Sequence, residues 1–149
     1  MSAVLLAVVC ASAWAGPLRR TTKATHGADA KVLMGQLGHK HAWVRELAAQ
    51  GLATTPASEP AVVALQACLD NSDERGFVRA ACAGTLGRWG VADAIPAMAT
   101  ALTEVDPESR YWVASALHVL HHPDAQAIVE DLRADGDLLL AAAAREWSR

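Results

Sequence analysis

The chain has 149 residues, 52% of them hydrophobic and 19% charged, with a formal net charge of -3. That length suits a single domain with a buried core, and the apolar fraction excludes a disordered chain. Ala fills 33 positions while aromatic residues make up 5%, which speaks against a β-sandwich or barrel, and 13 Lys and Arg against 16 Asp and Glu leave no positive surplus for a nucleic-acid partner.

Val4 to Ala11 is an unbroken apolar run, followed by Ala13-Trp14-Ala15 and then Gly16-Pro17. A short apolar core ahead of an A-x-A motif is the layout of a secretory signal peptide, so residues 1–15 read as an export signal cleaved after Ala15. The run is shorter than the roughly 20 apolar residues of a transmembrane helix, and no stable membrane span is expected once the signal is removed. The residues ahead of the run carry no Lys or Arg, while Arg19, Arg20 and Lys23 follow the cleavage site, a departure from the usual charge layout. Val8-Val9 is a poor lipobox ahead of Cys10, so a lipoprotein is not expected. Residues 16–27 lack periodicity and read as a linker. The expected address is the bacterial periplasm or the cell exterior.

From residue 28 onward the chain repeats. Four apolar helical stretches close on Leu37, Leu69, Leu102 and Leu132, in steps of 32, 33 and 30 residues. Each is followed by a short polar turn and a second helix. The second helices begin Trp43-Val44-Arg45, Phe77-Val78-Arg79 and Ser109-Arg110-Tyr111, so an Arg recurs at 45, 79 and 110. The fourth, Leu139 to Trp147, keeps the apolar frame and loses the Arg. A pair of short helices cannot bury its apolar face alone, but stacked pairs share one continuous core. Pro and Gly mark the connections, and Pro96 falls in a first helical turn, where its missing N–H costs little.

The repeats resemble the HEAT-repeat family, in particular the short bacterial HEAT-like repeats also known as phycobilisome-lyase-type repeats. Ala94 to Leu102 and Val78 to Gly87 carry the resemblance, which extends over about residues 28–149. It implies an all-α, right-handed α-solenoid of about four helical hairpins, and a protein-binding scaffold with no particular chemistry. In the family the repeated Arg commonly pairs with acids of the preceding turn. Asp73 and Glu74 would serve Arg79 as a modest surface pair, Asp106 and Glu108 would serve Arg110, and Arg45 would have no acid. The family also implies that second helices line the concave face, where Glu46, Gln50, Tyr111 and Ser115 are the expected contacts for a protein partner.

Cys68 and Cys82 lie in Ala- and Leu-rich helical stretches, where free Cys behaves as a small buried hydrophobe, so buried thiols are expected ahead of a disulfide. Trp43 and Trp112 flank the repeated Arg and are expected to fill the core of a chain otherwise short of bulk. Trp89 is open to either role. His39 and His41 fall at one edge of such a stack, and His118, His121 and His122 at the other. His118 and His122 have the i,i+4 spacing of a shared metal, but Pro123 disfavours helix at His122. The expectation is no metal, no cofactor and no catalysis. The alternative is an accessory or metal-dependent HEAT-like enzyme using the His118 to Asp124 cluster. No His-Glu dipeptide of the di-iron members of the family occurs. Leu138 to Ala144 is seven apolar residues in the last helix. It reads as a cap with a harmless Ala surface, or as a face for self-association through Leu138 or Leu140.

Overall fold

Helix starts follow directly from local chemistry. Asp29, Asp106 and Asp137 each accept a backbone N–H from the first turn of the helix they precede, at 3.0, 3.0 and 2.9 Å. Pro60, Pro96, Pro107 and Pro123 occupy first turns, where the absent N–H has no helical partner to lose. The resulting computed structural model describes residues 29–148. The expected signal (1–15) and linker (16–27) lie outside the described residues.

Eight α-helices follow in chain order among the described residues: α1 (Ala30–Gln36), α2 (Ala42–Leu52), α3 (Glu59–Asp70), α4 (Gly76–Arg88), α5 (Ile95–Glu104), α6 (Pro107–Leu120), α7 (Pro123–Asp131) and α8 (Leu138–Trp147). Single 3-10 turns precede α5 and follow α7. Gly90 ends α4 at φ 72°, with the Val91 N–H on the Leu86 carbonyl at 3.0 Å and the Gly90 N–H on that of Gly87 at 3.1 Å. This left-handed turn satisfies carbonyls that the helix end leaves open. His121 closes α6 at φ 52°, and His122 is extended, as a residue before proline prefers.

The helices pair as four hairpins, α1–α2, α3–α4, α5–α6 and α7–α8. First helices also pack on first helices and second on second, the arrangement of an α-solenoid. Leu33, Leu65, Leu69, Met98 and Val129 enter the core from the first helices. Leu52, Val78, Leu86, Val113, Leu117 and Leu140 enter it from the second. The closing residues Leu69, Leu102 and Leu132 are buried, while Leu37 in the first hairpin is only partly so. Ala83, Ala114 and Ala116 let the second helices approach closely. At Gly87 the approach leaves no room at all, since a Cβ there would stand 2.6 Å from the Ala116 carbonyl oxygen. No helix among the described residues is long and apolar enough to cross a membrane.

The cysteines depart from the expectation of free thiols. Cys68 near the end of α3 and Cys82 in mid-α4 form a disulfide, with Cα atoms 6.5 Å apart. That separation lies within the range a disulfide spans. An apolar helical stretch reports that a Cys is buried, but not which residue faces it across the hairpin. The α3–α4 pairing sets these two opposite each other.

Candidate functional site

Each repeated Arg stands near the start of a second helix, beside the end of the first helix of its own hairpin. Helix ends leave carbonyls without intrahelical donors. Arg79 Nε donates to the Leu69 carbonyl and Arg110 Nε to the Leu102 carbonyl, both at 2.8 Å, and Arg45 Nη1 donates to the His39 carbonyl. That bond uses one edge of the guanidinium and turns the other along the stack. The charge therefore meets an acid of the following hairpin. Arg45 pairs bidentately with Glu74, Arg79 with Glu104 at 2.9 Å, and Arg110 with Asp135 at 2.7 Å.

This corrects the expected pairing on three counts. Arg45 has an acid after all, Arg79 reaches neither Asp73 nor Glu74, and Arg110 pairs with Asp135 in place of Asp106 or Glu108. Nor is Arg79 a surface charge, being 3% exposed.

Two acids of this ladder are tuned by it. The hydrogen bond from Arg45 holds the Glu74 carboxyl below the usual range, and Arg110 does the same for Asp135. Asp106 is lowered chiefly by the Ser109 hydroxyl. A carboxyl lowered on folding stabilises the fold above its ordinary pKa of about 4, and that contribution fades as pH falls through the lowered value. Urea unfolding between pH 6 and 2.5 should therefore show stability falling below about pH 4.5. Glu74→Gln should flatten part of that slope. Parallel curves for variant and parent would contradict the assignment.

Across the second helices α2, α4 and α6 opens a groove of about 800 Å³. Its floor includes the buried Ala80 and Ala81, whose small side chains leave the space above them empty. Trp43 and Phe77 form walls and are 60% and 42% exposed, and Trp112 closes the α6 side while packing on the core. Glu46, Gln50, Asp106, Glu108 and Arg88 supply the polar lining. Gln50 Nε2 donates to Glu46 Oε1 at 3.1 Å. Burial raises the Glu46 carboxyl above its ordinary value, the Gln50 bond opposes this, and the charge of Glu108 raises it further.

Of the four expected contacts, the structure brings Glu46 and Gln50 together in this groove. Tyr111 and Ser115 lie outside its lining. Tyr111 faces along α6 toward α8, its ring centroid 5.1 Å from that of Trp112 and 5.7 Å from that of Trp147. Trp43 is not the core filler expected of it, because position 43 begins α2 at the rim of the first hairpin. Trp112 is half core and half groove wall, and Trp89 packs against the core. A signal for the missed wall was present: Trp43, Phe77 and Glu108 each stand two residues before a ladder Arg.

The histidines go to different neighbours. The His118 ring stacks on Trp147 at 5.3 Å, and burial, then the nearby His121, lowers its pKa. His122 caps α7 instead, its Nδ1 accepting the Asp124 N–H at 3.3 Å. Among the described residues no group of three or more His, Cys, Asp or Glu side chains is gathered as a metal cage. In α8, Leu140 is buried in the molecule's own core, and Leu138 and Leu139 are the exposed leucines.

A family model for HEAT repeats matches residues 72–147, from the turn inside the second hairpin to the end of α8. A search of curated proteins finds no match. The matched stretch holds two of the three ladder arginines and all of the last two hairpins, and it spans just over half of the chain. The chain belongs to the HEAT-repeat family.

Proposed function

We propose that the chain is an exported, non-catalytic protein-binding scaffold whose groove across α2, α4 and α6 receives a segment of its partner. HEAT repeats generally mediate protein–protein interaction. The observation that carries the reading further is the groove wall: a Trp and a Phe, 60% and 42% exposed, around about 800 Å³ of open space. Solvent-facing aromatics grouped in a concavity are the side chains that anchor interfaces, whereas a buried core would have enclosed them. Export rests on the apolar run ahead of Ala13-Trp14-Ala15. It is supported by the Cys68–Cys82 disulfide, which suits an oxidising compartment.

A photo-crosslinking residue introduced at Gln50 tests the assignment, with the same residue at the exposed Ala127 of α7 as the comparison. Irradiation in the native cells should yield a discrete protein adduct from position 50 and none from position 127. Adducts from 127 alone, or equal smears from both, would overturn it.

A further inference from the structure

The groove is not evenly charged, and its charges are not spent. Each ladder acid of the stack, Glu74, Glu104 and Asp135, is neutralised by an Arg. Glu46 and Glu108 are different. Glu46 is hydrogen-bonded to the neutral Gln50, and Glu108 has no ion pair among the described residues. Both line the same groove, and the charge of Glu108 acts on Glu46. Glu108 sits in the first turn of α6. Asp106, the third acid of the lining, is occupied in capping α6 and in accepting the Ser109 hydroxyl at 2.7 Å. Among the described residues the single cation of the lining, Arg88, is at the other end of α4, eleven residues and about 16 Å of helix from Phe77.

Trp43, Phe77 and Trp112 line the groove with the two carboxylates. Like-charged carboxylates beside aromatic rings, two of them exposed, form a receptor for a cation with an apolar stem. The head relieves the repulsion, the rings accept the charge on their faces, and the methylenes cover the alanine floor.

We infer that the groove selects partner segments that present an arginine or lysine side chain, which it seats among Trp43, Phe77 and Trp112 against Glu46 and Glu108. This rests on the groove being the binding face.

The test uses the full chain and three fluorescent ten-residue peptides, alternating serine with arginine, glutamine or glutamate, titrated by fluorescence anisotropy at low salt. The arginine peptide should bind about tenfold or more tighter than the glutamine peptide, and the glutamate peptide should not bind. Glu46→Gln with Glu108→Gln removes charge with little change of shape, and should erase the preference while leaving the melting temperature near that of the parent. Asp70→Asn with Asp131→Asn removes two exposed charges from the first helices and should leave the preference intact. Equal loss in both double variants would show bulk attraction and overturn the proposal. So would equal binding of the arginine and glutamine peptides. A third outcome concerns the chain's own Arg19, Arg20 and Lys23. If changing them to glutamine tightened the arginine peptide about tenfold, the native occupant would be that segment and not a partner. Should the preference fail while crosslinking at Gln50 still traps a protein, the binding face stands and only its selectivity for basic segments falls.

Discussion

Arg79→Ala is expected to lower the unfolding free energy by about 3 kcal/mol, near the lower end for loss of a buried charge partner. The side chain is 3% exposed and ties two hairpins together: Nε holds the last-turn carbonyl of α3 at Leu69, and Nη2 holds Glu104 at the end of α5. Alanine strands the Leu69 carbonyl and opens a cavity between hairpins two and three. The loss stops short of 5 kcal/mol because the Glu104 side chain is 40% exposed and can return to water. Arg110 is itself more exposed, at 25%, and Arg110→Ala should cost about 1–2 kcal/mol. Urea unfolding of both variants checks the ranking, and an Arg79→Ala loss below that of Arg110→Ala would contradict it. Retaining the charge as Arg79→Lys should recover only part of the loss, since an ammonium cannot fork to both acceptors.

Reduction of Cys68–Cys82 should cost a similar amount. The bridge closes a loop with a sequence separation of 14, for which the restriction of the unfolded chain is worth about 3 kcal/mol. In a domain of this size that corresponds to a melting temperature lower by roughly 10 °C. Reductant should produce this drop in the parent. Cys68→Ala with Cys82→Ala should show it without reductant and respond no further. Alkylation in denaturant without reductant should leave Cys68 and Cys82 unmodified. Full alkylation of both would show that the parent carries thiols, and the melting temperature should then ignore reductant.

The architecture was legible because a solenoid writes its register into the chain. Leu69, Leu102 and Leu132 recur because each closes the apolar face of a first helix, and the Arg recurs because Arg79 and Arg110 meet the carbonyl end of that helix and Arg45 a carbonyl of the turn after it. The direction of the ladder was not legible. Its acids, Glu74, Glu104 and Asp135, recur at steps of 30 and 31 residues but lie 25 to 29 residues beyond their Arg, in the next hairpin, and the nearer acids of the preceding turn are the wrong ones. The exposure of Trp43 was hidden for a different reason. In an Ala-rich chain a Trp can supply missing core bulk or an exposed anchor, and composition alone does not separate the two. What separates them is the recurrence of Trp43, Phe77 and Glu108 at one place in the repeat, on the rim of the second helices. Tyr111 shares the repeat position of Glu46, but α8 stands beside it, and Trp147 draws its ring out of the groove.

Crosslinking resolved by residue tests the central claim, that the second helices form the face that binds. Photo-reactive residues at Gln50 and Glu108, both in the groove lining, are compared with the same residue at Ala67 of α3 and Ala127 of α7, both exposed on first helices. Positions 50 and 108 should yield one shared protein adduct, lost when Trp43→Glu is added, and positions 67 and 127 none. An adduct confined to 67 and 127, or one indifferent to Trp43→Glu, would contradict it.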